Sequence, residues 1–211
     1  MPKALFVGKA PISGKLKQRF VNEIESITML ALARSANTGL ADGKLIPEVL
    51  IIGLKLTAKA TEIPSEVIEL IAGQRKSGIV FACVREVPFE GRTREECAFA
   101  VRRAQPGRAG HTLIYHVYAG DWQPAGECQL ELTGSTIDEL WASLCSQAIL
   151  GTTDFENLDA RIVQHGEIAR LEADVDKLTR DHQRAKNPAQ RNEIYAKLHK
   201  AKTQLAQMRE V

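Results

Sequence analysis

No cysteine in this chain has a second cysteine three positions on, so the Cys-x-x-Cys spacing that clamps zinc or runs thiol–disulfide exchange is missing. Cys83, Cys97, Cys128 and Cys145 stand apart, three of them in or beside apolar runs. That is the pattern of buried free thiols in a reducing compartment. No apolar run approaches the roughly 20 residues of a membrane-spanning helix, and no charged-then-apolar leader opens the chain. The expectation is a cytoplasmic protein with no membrane partner. Neither sign of charge dominates: 28 Lys and Arg against 26 Asp and Glu leave +2. Such a balance argues against a protein built mainly to wrap nucleic acid, although local basic patches remain open. Internal repeats and low-complexity tracts are absent from the sequence.

What is present suits one ordinary domain with an appendage: 211 residues, 44% of them hydrophobic. The appendage is the clearest feature. Ile168, Leu171, Val175 and Leu178 recur at alternating spacings of three and four. After Asn187-Pro188 the rhythm returns in Ile194, Leu198, Ala201, Leu205 and Met208. A seam of this kind buries a narrow apolar stripe against a partner helix. Proline lacks an N–H and disfavours helix in the residue before it, so Asn187-Pro188 should break the segment. Leu158–Ala185, roughly 40 Å long, would fold back on Ala189–Glu210 as an antiparallel coiled-coil hairpin. The alternative is one kinked helix that pairs with a second copy as a homodimer. His182 falls on the seam, as a polar layer that helps fix register.

Along the rest of the chain, Ala4–Val7 is a short apolar run that reads as a strand. Ser13 looks like an N-cap, followed by Leu16, Phe20, Val21, Ile24 and Ile27 at helical spacing. From Met29 to Leu32 pattern does not separate helix from strand. Residues 35–44 read as a loop. Val49–Leu56 and Ile79–Val84 are buried strands, with a helix between them that starts at Pro64 and turns Val67, Ile68 and Ile71 inward. Pro88–Arg94 is a turn-rich connection. Cys97–Val101 and Thr112–Tyr118 complete an antiparallel meander with Ile79–Val84, joined by a turn at Gln105–Gly110. Gln129–Leu132 adds an edge strand, and Ser135 caps a helix burying Ile137, Leu140, Trp141 and Leu144.

Several motifs tempt a catalytic reading. Gly8–Lys15 lies where a phosphate loop would, but five residues separate Gly8 from Gly14, one is Pro11, and Leu16 replaces the hydroxyl that would reach magnesium. What survives is a basic patch of Lys3, Lys9, Lys15, Lys17 and Arg19, part of it near a helix N-terminus, where anions are favoured. Arg92, Arg94, Arg102, Arg103 and Arg108 form a second cluster. Both suit a nucleic-acid backbone, and both also suit an ordinary solvated rim. None of the five histidines has a metal-ligand neighbour at helical or hairpin spacing, and no Gly-x-Ser-x-Gly elbow occurs. A metal nuclease would hold magnesium with acids on adjacent strands. Glu48 and Lys55 are too far apart on their strand to share one ion, and Gly53 offers no ligand. Asp121 and His116 are the remaining weak catalytic candidates. A turn Asp beside a packed Trp122, and a structural histidine, are the plainer readings.

The order of these pieces resembles the DUF4391 family, a bacterial domain of unknown function. The stretches that carry the resemblance are Ser13–Ser26, Glu48–Leu56, Ile63–Phe81, the Gly120-Asp-Trp-Gln-Pro124 turn and the Leu/Lys-rich tail. They cover most of the chain. Members are commonly encoded beside helicases and DNA methyltransferases in restriction-modification-like or phage-defence islands. The resemblance implies no established activity. Relatives carry more acids in the strand matching Glu48–Leu56, and Gly53 and Lys55 depart from that, which weakens a nuclease reading.

The expected fold is α+β: a largely antiparallel mixed sheet flanked by helices in residues 1–150, a hinge at 151–157, and the helical hairpin at 158–211. The expected function is a non-catalytic accessory subunit of a DNA restriction or phage-defence system. It would dock on a helicase or DNA methyltransferase through Ile168, Leu171, Val175, Leu178, Ile194, Leu198 and Leu205, without metal or cofactor. The alternatives are a metal-dependent nuclease or phosphodiesterase around Asp121 and His116, and a direct nucleic-acid binder. The binder would use Lys9, Lys15, Lys17 and Arg19 together with Arg102, Arg103 and Arg108.

Overall fold

A computed structural model describes residues 1–7, 12–105 and 113–209. They form two compact units, Met1–Glu156 and Asn157–Val211. The first is α+β with a mixed six-stranded sheet.

The chain opens with one helical turn, α1 (Ala4–Val7), where a strand was expected. The turn aims Phe6 into the core, its ring 6.5 Å from that of Phe20. Helix α2 (Gly14–Glu23) starts as the sequence indicates, with Ser13 Oγ accepting from Leu16 N–H at 3.1 Å. It stops at Glu23. Ile24 is already extended and opens strand β1 (Ile24–Ala33), so the expected helix through Ile27 is wrong. The cause is a bulge between Ile24 and Ser26. It shifts the strand's phase, so Ile24 pairs with Leu56 and Ile27 with Leu54, and residues three apart share one face. A bulged strand thereby copies helical spacing. The helical turn α3 (Ser35–Thr38) interrupts the following loop.

Strand β2 (Val49–Leu56) is buried and central, as its Val, Ile and Leu content requires. Helix α4 (Ser65–Ala72) follows Pro64 at its N-cap and buries Val67, Ile68 and Ile71 completely. It leads to β3 (Gly78–Phe89), which pairs parallel with β2. A tight two-residue turn at Glu90-Gly91 leads to β4 (Arg92–Ala104), so the connection expected over Pro88–Arg94 is mostly strand. Strand β5 (Tyr115–Ala119) pairs antiparallel with β4. The sheet order is β1-β2-β3-β4-β5, and among the described residues only the β2–β3 strand pairing is parallel.

The expected edge strand at Gln129–Leu132 is absent. The sixth strand is instead β6 (Gln123–Pro124), paired with β4 at Glu96 and Cys97. Gln147 explains the difference: its side-chain amide accepts from Glu131 N–H at 2.8 Å and donates to Glu131 C=O at 2.9 Å. One side chain does what a neighbouring strand would do. Helix α5 (Ile137–Leu150) is capped by Thr136, one residue later than expected, while Ser135 donates to Glu139.

The core lies on both faces of the sheet. Leu50, Ile52 and Leu54 of β2, with Ile79, Phe81 and Cys83 of β3, meet α2 and α4. The opposite face, marked by Val49 and Gly78, lies against α5.

The second unit holds α6 (Leu158–Arg184) and α7 (Pro188–Arg209). The two helices pack against each other and run in opposite directions. Gln164 donates to Met208 C=O at 2.9 Å, Glu172 pairs with Arg209, and the His182 and Tyr195 rings lie 6.0 Å apart. Pro188 opens α7, where its missing N–H has no helical partner to lose. No described helix is long and apolar enough to cross a membrane.

Candidate functional site

The first unit holds an open groove of about 660 Å³ between α2, α4 and β5. Leu16, Leu70 and Val117 give it an apolar floor, and Ser13, Tyr115 and His116 line its walls. Glu66 and Glu69, one turn apart on α4, supply its acids.

Those acids already have cations. Arg19 reaches Glu66 at 2.8 Å and Glu23 at 2.8 Å. Arg102 reaches Glu69 at 2.7 Å, with its guanidinium 3.8 Å from the centre of the Tyr115 ring. Arg19 is held above its ordinary pKa, chiefly by the hydrogen bond to Glu23. Lys15 and Lys17 are exposed on the first turn of α2. Lys3 donates to Ile24 C=O. Arg103 is half-buried and stands opposite His116 across the β4–β5 ladder. Lys9 and Arg108 lie outside the described residues.

Of the second arginine cluster, Arg94 and Arg102 are tied to carboxylates. Arg94 and Arg85 both hold Glu96, which is 8% exposed, and their hydrogen bonds keep its carboxyl below the usual carboxylate range. Arg85 lies over the Trp122 ring at 4.0 Å, and Arg94 over Phe89 at 4.0 Å.

His116 is exposed on β5, its Nε2 2.8 Å from Gln105 Oε1 and its ring edge-on to Tyr118. Asp121 is exposed in the turn after β5 and does not line the groove, so the two weak catalytic candidates are not brought into one site. Just before β2, Glu48 is held by Ser77 at 2.8 Å and Arg34 at 2.6 Å, and the Ser77 bond leads in keeping its carboxyl below its ordinary value. Lys55 pairs with Glu86 and Glu25. Among the described residues no group of three His, Cys, Asp or Glu side chains could hold a metal ion. Cys83, Cys97 and Cys145 are buried, Cys128 is half-buried, and none of the four forms a disulfide. Burial pushes the Cys97 thiol up to about 12.

In the second unit every seam position is withdrawn from solvent. Leu171 and Leu198 are buried, and Ile168, Val175, Leu178, Ile194 and Leu205 are half-buried. These side chains lie between positions joined by α6–α7 contacts, so the apolar stripe is covered from within the unit.

A family model, Domain of unknown function (DUF4391), matches residues 1–205. The chain belongs to the DUF4391 family. No curated protein and no solved structure matches it. The DUF4391 match runs through both units, so the helix pair is part of what defines this family. Reasoning from residue order missed Glu66, Glu69 and Glu96, the acids that engage the arginines. A faint signal existed for the first two, whose spacing of three on an amphipathic helix puts them on one edge.

Proposed function

We propose that this DUF4391 chain is a non-catalytic adaptor of a bacterial DNA restriction or phage-defence system. It would act in the cytoplasm and dock on a helicase or DNA methyltransferase through an antiparallel coiled-coil hairpin, α6–α7. The observation that carries this reading is the separateness of the helix pair: a compact unit with its own apolar seam, appended to an α+β unit. An appendage of this kind presents surface to a partner. Val163, 50% exposed on α6, offers an apolar anchor on the part nearer the first unit in sequence. The charged side chains of the groove support the same reading, because each acid there holds an arginine.

The test is affinity recovery of the tagged chain, co-expressed with the genes that flank its own, with and without residues 158–211. The expected result is stoichiometric recovery of a helicase or methyltransferase that depends on the tail. His116→Ala and Asp121→Ala should leave that recovery unchanged. A lone chain recovered with and without the tail overturns the reading.

A further inference from the structure

The two halves of the helix pair carry opposite charge. From Leu158 to Asp176, five carboxylates stand against two arginines. There the charges are cross-paired: Arg170 with Glu167 at 2.7 Å, and Arg209 with Glu172. From Lys177 to Lys202, around the turn, eight lysines and arginines stand against two carboxylates, Asp181 and Glu193. Glu193 is taken by Lys197 at 2.7 Å. All eight cations are exposed. Among the described residues Lys177, Arg180, Arg184 and Lys186 form no ion pair.

Their placement is costly for the isolated unit. Lys177, Arg180 and Arg184 follow spacings of three and four, so they line one face of α6 and repel one another. Lys197 and Lys200 repeat the arrangement on α7. A surface shaped only for solubility would intersperse the signs, as the half before Lys177 does. An outside anion removes the repulsion.

We infer that the distal half of the helix pair, Lys177–Lys202, binds the phosphate backbone of nucleic acid. Successive cations on α6 rise by about 4.5–6 Å, against roughly 3.4 Å between phosphates along one strand. Each cation therefore has a phosphate within reach along the axis. Arg191 donates to Ala185 C=O at 3.1 Å across the turn, which fixes the relation of the two cationic helices. An open cleft of about 550 Å³ beside it is lined by Arg184, Lys186 and Gln190, all donors to phosphate oxygens, and also by the carboxylate of Asp181, which the two cations outnumber. Tyr195, 58% exposed among the cations, adds a hydroxyl. An anionic membrane fits poorly, because an interfacial helix must turn its apolar face outward and here the seam is turned inward. An acidic protein fits less well too, because Tyr195 is the one large apolar side chain exposed on this stretch among the described residues.

The inference stands apart from the adaptor reading, and the two fail separately: a chain that recovers its partner yet ignores nucleic acid refutes only this one. The experiment is fluorescence anisotropy of the full chain with a 30-base-pair DNA duplex and, in a second arm, a single-stranded RNA of equal length, across a salt series. Anionic phosphatidylserine vesicles are the third arm. Arg180→Gln/Arg184→Gln/Lys186→Gln should weaken nucleic-acid binding at least tenfold and reduce the slope of log affinity against log salt by about 3. Its helical circular dichroism should be unchanged, since the substitutions relieve repulsion. Arg180→Lys/Arg184→Lys keeps the charge and should keep the affinity. Lys59→Gln/Lys76→Gln, in the other unit, should bind like the parent chain. The two nucleic-acid arms show which backbone is taken. No binding to either at low salt, equal binding by the triple variant, or binding to vesicles alone overturns the proposal.

Discussion

Trp141 of α5 lies directly on the backbone of Gly78 at the start of β3: a Cβ built there would stand 2.6 Å from Trp141 Cε3. The same Cβ would meet Ile46 Cδ1 at 3.0 Å. The absence of a side chain at Gly78 is what lets α5 seat on this face of the sheet. Gly78→Ala should destabilise the first unit by about 1–3 kcal/mol through overpacking. Urea denaturation followed by tryptophan fluorescence reads the shift. Trp141→Leu in the Gly78→Ala background should recover part of the loss, a non-additivity that two independent sites would not show.

Asp138, in the first turn of α5, gathers the loop before β2. Its carboxylate accepts from the N–H groups of Lys44 at 2.6 Å, Leu45 at 3.1 Å and Ile46 at 3.1 Å. Desolvation pushes this carboxyl up, but the three donors outweigh it and leave the pKa below the ordinary 3.8. A carboxylate with a depressed folded-state pKa stabilises fully above its unfolded value and loses that contribution as pH falls through the folded one. Asp138→Asn should cost on the order of 1 kcal/mol at neutral pH. The gap between parent and variant should close on acidification below the ordinary aspartate pKa. Thermal unfolding across pH measures it, and a gap that widens in acid refutes the assignment.

The β3–β4 turn holds Glu90 at φ 48° and Gly91 at φ 75°. Tight hairpin turns of this hand want Asn-Gly, because Asn tolerates the left-handed region and glutamate does so poorly. Glu90→Asn should stabilise by about 0.5–1 kcal/mol, and Gly91→Ala should destabilise by about 1 kcal/mol. Equilibrium unfolding of both variants gives the two signs.

Leu171 and Leu198 are 6% and 8% exposed in the seam of the helix pair. Truncating either to alanine should cost that unit about 2–3 kcal/mol, a large share of what 55 residues can hold. Hydrogen exchange should quicken across α6 and α7 while β2 and β3 keep their protection. Equal quickening in both units would contradict their separateness.

Much of the fold was legible from residue order. The β2 run, the helix after Pro64, the β3–β4–β5 meander and the break at Pro188 each rest on one strong local signal. The misreadings share a cause. Ile24 and Ile27 obey helical spacing only because a bulge resets the strand, and that bulge arises in pairing with Leu54 and Leu56. The strand expected at Gln129–Leu132 gave way to a bond from Gln147, sixteen residues on. The basic patches read as anion sites from Lys, Arg and position alone. Arg19 and Arg102 are bound by acids 47 and 33 residues distant, which local pattern does not reveal.

The sequence by itself determined the seam, the helix boundary at Pro188, the buried thiols and the hydrophobic runs, because periodicity and proline chemistry act over a few residues. Only the tertiary structure decided which cations are neutralised. It set Arg19 and Arg102 against Glu66 and Glu69, and left the lysines and arginines of Lys177–Lys202 largely without carboxylates. Charge acts through space at short range, so its balance depends on which distant segments the fold brings together.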